Sequence, residues 1–169
     1  MSPRWTLPMR VDERITKPDI RRARQEDAET VADITDSAYG GYLSLLGRKP
    51  QPMTADHRKM IAENDVWLLF HDDYPVGVLV LVDEPNCLLI YSVAIRPELQ
   101  KRGLGRRLLG WAERQARRAG HPRIRLYTNG LMEANIELYR GLGYLETDRE
   151  LYMGSTLVHM SKWLDGDVG

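Results

Sequence analysis

The sequence contains very little cysteine: one residue, Cys87, among 169. A single thiol cannot form a disulfide within the chain, and the four histidines lack zinc-site spacing, which favours a reducing compartment and no structural metal. No apolar run approaches the about 20 residues of a membrane-spanning helix. Residues 1–18 lack the apolar segment of a secretory signal. We therefore expect a cytoplasmic protein that binds no metal and does not insert into membranes.

An excess of charge of one sign is also absent, because 24 Lys and Arg residues balance 24 Asp and Glu residues. A chain without net charge has no overall attraction for nucleic acid or for an anionic membrane surface. An arginine-rich helix leaves nucleic-acid binding open as an alternative, but no recognised nucleic-acid motif accompanies it. We expect neither nucleic acid nor a membrane as a partner.

The composition is that of a folded protein, with 43% hydrophobic and 28% charged residues. A chain of this length fits a single domain, which can bury a sizeable core without disulfides or metal. Residues 1–18 show no clear periodicity and are interpreted as an N-terminal arm. The domain is expected to span residues 19–165.

The hydrophobic pattern alternates between strand and helix periods along the domain. Helices are predicted from an N-cap at Asp27 to Gly40, from an N-cap at Thr54 to Asn64, over 104–119 and over 132–141. Residues 42–53 are expected to form a loop or a broken helix. Strands are predicted at 20–23, 66–70, 76–82, 88–95, 124–127, 144–147 and 156–163. This order indicates an α/β (α+β) fold with a mixed sheet flanked by helices.

A glycine-containing turn joins the strand over 88–95 to the helix that begins at Leu104. Glycines allow a backbone to approach a ligand closely, and a helix N-terminus attracts anions through its unpaired N–H groups. Cations are unfavourable at that end of a helix, yet four occur there. They are Lys101, Arg102, Arg106 and Arg107. This segment therefore predicts a phosphate site, although it matches neither the P-loop nor the Rossmann pattern.

Two motifs at the appropriate separation give the sequence a specific resemblance. Residues 100–106, QKRGLGR, resemble the Q-x-x-G-x-G/A acetyl-coenzyme A signature of GCN5-related N-acetyltransferases (GNAT). Residues 135–144, NIELYRGLGY, are similar to the ending A-x-x-L-Y-x-x-L-G-Y/F of that superfamily. The likeness extends from about residue 20 to residue 163. It implies the GNAT fold, with a twisted, mostly antiparallel central sheet.

The resemblance also implies an enzyme that transfers acetyl from acetyl-CoA directly to a primary amine of a small molecule, amino acid or peptide. It places the general acid at Tyr139, whose phenol, with an ordinary pKa near 10, would return a proton to the departing thiolate. It implies that acetyl-CoA contacts Val93, Ala94, Ile95, Lys101, Arg102, Gly103, Leu104, Gly105, Arg106 and Asn135. An aromatic acceptor site is expected to include Tyr39, Tyr42 and Tyr91. The resemblance is also compatible with a homodimer.

The sequence does not identify the general base. Many GNAT enzymes carry a glutamate in the central strand where this chain has Tyr91. Asp83 and Glu84 are candidates acting through water, and an amine that arrives neutral would need no base. The missing glutamate also leaves open a catalytically inactive module that only binds coenzyme A.

Overall fold

The fold is a single seven-stranded mixed sheet with helices on both faces, as the sequence predicts. The structure, a computed structural model, describes residues 19–164, so the expected arm over 1–18 lies outside the described residues. The strands are β1 Ile20–Arg22, β2 Asp65–His71, β3 Tyr74–Asp83, β4 Leu88–Ile95, β5 Arg123–Asn129, β6 Leu145–Tyr152 and β7 Ser155–Trp163.

The strands lie in the order β1-β2-β3-β4-β5-β7-β6. Every neighbouring pair is antiparallel except β4 and β5, which run parallel. A parallel pair needs a crossover connection, and here a helix provides it.

Six α-helices are present in the described part of the chain. They are α1 Ala28–Tyr39, α2 Leu43–Leu46, α3 Gln51–Thr54, α4 His57–Glu63, α5 Leu104–Arg118 and α6 Glu133–Gly141. None of these helices has both the length and the apolar character needed to cross a membrane. Single 3₁₀ turns at Gln25–Asp27, Gly40–Tyr42 and Pro97–Leu99 connect some of the elements.

The two faces of the sheet carry separate apolar clusters. On one face, Val31 and Ile34 of α1 pack with Val78, Val80 and other side chains of the sheet. On the other face, α5 and α6 contribute to a larger cluster with β3, β4 and β5. Burial on both faces explains why β3 and β4 are apolar at nearly every position rather than alternating.

The structure corrects two predicted boundaries. Asp56, not Thr54, caps α4: its carboxylate accepts from the Lys59 N–H at 3.1 Å. Strand β6 continues five residues beyond the predicted end at Thr147. The sequence does not predict this length because β6 is exposed on both faces and therefore has no alternation of apolar and polar residues. Of the two alternatives predicted for 42–53, a loop or a broken helix, the structure shows the broken helix, since this region holds the one-turn helix α2 and the start of α3.

Candidate active site

The central strands separate part-way along their length. The β4–β5 ladder pairs Leu88 with Ile124 and ends at the pair Ile90 and Leu126. Both strands continue beyond that pair, to Ile95 and Asn129. The sheet therefore has an opening at the carboxyl ends of β4 and β5.

A cavity of about 360 Å³ occupies this opening. Its walls come from the separated strands, from α6, from the segment 46–54 and from the β6–β7 turn. Tyr39 packs with the cluster on the α1 face, whereas Tyr139 belongs to the cluster on the α5 face. Because both line the cavity, the opening connects the two faces of the sheet.

Beyond Ile90, the edge of β4 that is not paired with β5 directs backbone groups into this opening. The Arg96 N–H donates to the Val76 carbonyl of β3, so alternation along β4 turns Val93 and Ile95 away from β3. Their carbonyls instead accept from side chains, Val93 from the Tyr39 hydroxyl at 3.2 Å and Ile95 from Gln100 at 2.9 Å. The buried Ala94 faces β3 with its backbone.

The predicted phosphate loop has the backbone of a concave anion site. Lys101 and Gly103 have φ angles of 65° and 83°, the left-handed region, which lets successive N–H groups converge. Gly103 is the N-cap of α5 and supplies no side-chain acceptor to the first turn. The N–H groups of Leu104, Gly105 and Arg106 have no partner within the helix. A Cβ added at Gly105 would meet no atom within 4 Å, so the space beside it is open.

Three of the four cations in this loop have no carboxylate partner among the described residues. They are Lys101, Arg102 and Arg106, which are exposed. Arg107 differs, because its guanidinium pairs with Asp19 at 2.6 Å. The sequence cannot show this pairing, since the two residues lie 88 positions apart. The remaining three cations leave the helix N-terminus strongly positive.

Tyr139 lies in the wall of the cavity, on the buried face of α6. It is 7% exposed and packs edge-on against Tyr144, with ring centroids 6.0 Å apart. Burial raises the pKa of the Tyr139 phenol well above its usual value. The hydroxyl therefore keeps its proton at neutral pH and can act as a proton donor. Asn135, one turn earlier on α6, also lines the cavity.

The three tyrosines predicted for the acceptor site do not all reach the cavity. Tyr39 and Tyr91 line it, while the half-buried Tyr42, in the 3₁₀ turn after α1, does not. Burial raises the pKa of Tyr39 and of Tyr91, so both phenols stay neutral. They provide aromatic surface and hydrogen-bonding groups without charge.

The two candidate bases lie away from the cavity, near the beginning of β4. Arg125 binds the Glu84 carboxylate through two N–H groups at 2.7 and 2.8 Å. Asp83 contacts His121 at 2.5 Å. None of the described residues that line the cavity is Asp, Glu or His. Both carboxylates are therefore interpreted as structural.

Replacing Glu84 by Gln is expected to reduce stability without changing the catalytic rate. The hydrogen bond from Arg125 holds the pKa of Glu84 below its usual range, so its stabilisation is present above the unfolded-state pKa and is lost as pH falls through the lowered folded-state pKa. Urea unfolding should show a loss of about 1–3 kcal/mol at pH 7 that disappears well below about pH 4.

The exposed Glu63 provides the control for this substitution, since it has no ion-pair partner among the described residues. Glu63→Gln should leave the unfolding curve unchanged at both pH values. A large fall in kcat for Glu84→Gln would show that this carboxylate takes part in the reaction.

Several cavity residues were not predicted from the sequence. Gln51 donates to the Tyr152 hydroxyl at 2.9 Å and accepts from the Tyr127 hydroxyl at 3.2 Å. These bonds hold α3 across the cavity, against β5 and the end of β6. The contacts join residues 76 and 101 positions apart, so no local pattern reveals them.

A known protein family matches most of this chain. A family model described as "Acetyltransferase (GNAT) family" matches residues 28–144, which is more than half of the chain. The chain belongs to the GNAT acetyltransferase family. Its predicted class, an acetyl-CoA-dependent acetyltransferase, is thereby confirmed.

Two curated relatives and one solved structure illustrate the similarity. S-(2-succino)cysteine N-acetyltransferase of Bacillus subtilis is 28% identical over 168 residues, covering 90% of this chain and 99% of that protein. Mycothiol acetyltransferase of Nocardiopsis dassonvillei is 40% identical over 62 residues, but the match spans 37% of this chain and 19% of that protein.

The solved structure is the PaiA N-acetyltransferase of Thermoplasma acidophilum in complex with coenzyme A. It superposes with a TM-score of 0.70 at 18% identity, covering 86% of this chain and 98% of that chain. At this level of identity the likeness shows the fold alone. The predicted GNAT fold is confirmed.

Proposed function

We propose that this GNAT protein transfers the acetyl group of acetyl-CoA directly to the primary amine of a small molecule, amino acid or peptide. The observation that carries the proposal is the position of Tyr139. It is a buried, protonated phenol in the wall of a cavity between two separated strands, and that cavity connects the two faces of the sheet. An acyl donor and an amine can therefore approach the same hydroxyl from opposite faces.

The residues present fit coenzyme A. Open space beside Gly105 and the unpaired N–H groups at the start of α5 suit a diphosphate, and Lys101, Arg102 and Arg106 add positive charge. The outward-facing backbone of Val93 and Ile95 suits the amide groups of the pantetheine arm. Asn135 lines the same cavity, and its side-chain amide can hydrogen-bond to the cofactor. Bound acetyl-CoA would supply an acetyl group activated as a thioester.

Tyr139 acts as the general acid in this proposal. The amine nitrogen forms a bond to the acetyl carbonyl carbon, the carbon–sulfur bond breaks, and the Tyr139 hydroxyl donates its proton to the departing sulfur. The proton lost by the amine passes to water, and the phenolate regains a proton from water. A tyrosine phenol is protonated at neutral pH, so Tyr139 can donate a proton there and cannot act as a base.

The amine needs no carboxylate base in this arrangement. Arg48 and Lys49 are the charged residues in the described lining of the cavity, and nearby positive charge lowers the pKa of a bound ammonium group. A larger fraction of the amine is then neutral and nucleophilic.

Direct transfer is supported by the position of Cys87. Its thiol is buried beside Glu84 at the beginning of β4, at an Sγ–Oε1 distance of 3.1 Å, and does not line the cavity. Burial raises the pKa of this thiol, which disfavours the nucleophilic thiolate. A covalent acetyl-cysteine step has no residue to carry it near Tyr139.

The names of the relatives support an amine acceptor. The Bacillus subtilis protein is named for N-acetylation of S-(2-succino)cysteine, a small amine. The alternative function is an inactive coenzyme A-binding module, which the absence of acidic residues from the described cavity lining favours.

A panel of amines tests the proposal. The protein should release free thiol from acetyl-CoA only when an acceptor is present, and mass spectrometry should find the N-acetylated amine in equal amount. Binding of acetyl-CoA without thiol release for any amine, amino acid or peptide would support the inactive module instead.

A further inference from the structure

The charged side chains that line the cavity are all positive among the described residues. Arg48 and Lys49 line it, while no Asp or Glu does among the described residues. Neither cation has a carboxylate partner in the part of the chain that the structure describes. The chain as a whole carries 24 basic and 24 acidic residues, so this local excess of positive charge is a property of the cavity.

Arg48 is held in place with most of its hydrogen-bonding capacity unused. One N–H group donates to the Tyr152 carbonyl at 3.1 Å, and the guanidinium lies 5.7 Å from the centre of the Tyr152 ring. A guanidinium has five N–H donors in a planar fork that matches a carboxylate. The half-buried side chain lines the cavity, and its other N–H groups, which have no partner among the described residues, can bind a carboxylate.

The two cations are separate from the phosphate loop. No residue from Gln100 to Arg106 lines the cavity, whereas Arg48 and Lys49 lie between α2 and α3 on the segment that covers it. The positive charge at the start of α5 already suits the phosphates. The charge on the covering segment is left for the other substrate, the acceptor.

The surface beside the cations is aromatic and apolar. Tyr91, Tyr127 and Tyr152 line the cavity together with Met153 and Leu157. These side chains suit an acceptor molecule whose middle part is uncharged and whose two ends are polar. A polyamine has no counter-charge here, because its additional ammonium groups would face Arg48 and Lys49.

We propose that the acceptor is a small amine that carries a carboxylate, which Arg48 binds with help from Lys49. This inference rests on the proposed function and narrows its substrate class to amino acids and related acidic amines. The carboxylate orients the acceptor in the cavity, while the aromatic side chains contact its apolar part. Arg48 is then a specificity-determining residue for the acceptor.

The first test compares acceptors that differ by the carboxylate alone. L-phenylalanine is compared with phenethylamine and L-methionine with L-methioninamide. S-(2-succino)cysteine and spermidine extend the panel to a more acidic and to a polycationic acceptor. The highest kcat/KM should belong to an acid, and the better of the two matched amino acids should exceed its counterpart without the carboxylate at least about tenfold. A neutral or cationic amine as the best acceptor would overturn the inference while leaving the proposed function intact.

The second test uses variants. Arg48→Gln should raise KM for the acidic acceptor about tenfold or more, with KM for acetyl-CoA unchanged, and Arg48→Lys should restore part of the loss. Arg58→Gln removes the same charge outside the cavity and should have no effect. An unchanged acceptor KM in Arg48→Gln would refute the role of Arg48.

A binding measurement separates the two proposals if no amine is acetylated. S-(2-succino)cysteine, L-phenylalanine and L-methionine are each titrated into the coenzyme A-loaded protein by calorimetry. Binding that Arg48→Gln weakens about tenfold would uphold the anionic site while the acetyl-transfer proposal fails. Absence of both binding and acetylation for all three acids would overturn the inference.

Discussion

Replacing Tyr139 by Phe is expected to lower kcat at least about tenfold, a loss in the usual range for removing a general acid. The substitution deletes one oxygen and keeps the ring that packs against Tyr144. The departing sulfur must then leave as a thiolate or take its proton from water. The dissociation constant for acetyl-CoA, measured by calorimetry, should be unchanged, because the hydroxyl acts on the sulfur during the reaction rather than on the phosphates.

Tyr144 provides a matched control on the same ring pair. Its hydroxyl is buried and has no hydrogen-bond partner within the described residues, and Tyr144 does not line the cavity. Tyr144→Phe should keep kcat and should not reduce stability, since it removes an unsatisfied polar group. Equal kcat in Tyr139→Phe and the parent, with the true acceptor, would remove Tyr139 from the mechanism.

Replacing Gly105 by Glu is expected to weaken acetyl-CoA binding at least about tenfold, which corresponds to about 1.4 kcal/mol. The new side chain would enter the open space beside the first turn of α5 and put a negative charge where the diphosphate is proposed to bind. The same charge at a helix N-terminus favours the helix, so the protein should fold with undiminished stability. Calorimetric titration and thermal unfolding measure the two effects separately.

Gly110 offers the control on the same helix. It is exposed, and a Cβ there would also meet no atom within 4 Å. Gly110→Glu makes the same chemical change one and a half turns further along α5, so acetyl-CoA should bind as to the parent. Normal binding by Gly105→Glu would place the diphosphate elsewhere.

The parts of the site that the sequence predicts are those with local causes. The turn at 100–106 is recognisable because glycines, a helix start and misplaced cations occur together within a few residues. Tyr139 is recognisable from its motif, and the structure adds that burial raises its pKa. The local sequence pattern and the resemblance to the family both predict that residues 100–106 bind phosphate. A structure with bound coenzyme A tests that prediction.

The rest of the site depends on contacts between distant segments. Gln51 meets Tyr127 and Tyr152 only after the sheet has formed, and Arg48 reaches the end of β6, 104 positions away. Glu84 illustrates the reverse case, since a carboxylate that looks available in the sequence is bound by Arg125 in the structure. Charge patterns along a chain do not reveal which charges pair across a sheet.

A crystal structure of the protein with coenzyme A would test the central claim most directly. We expect the diphosphate against the backbone N–H groups of Leu104, Gly105 and Arg106. The pantetheine arm should lie along Val93 and Ile95, with the sulfur within hydrogen-bonding reach of the Tyr139 hydroxyl. A diphosphate bound away from the start of α5, or a sulfur remote from Tyr139, would contradict it.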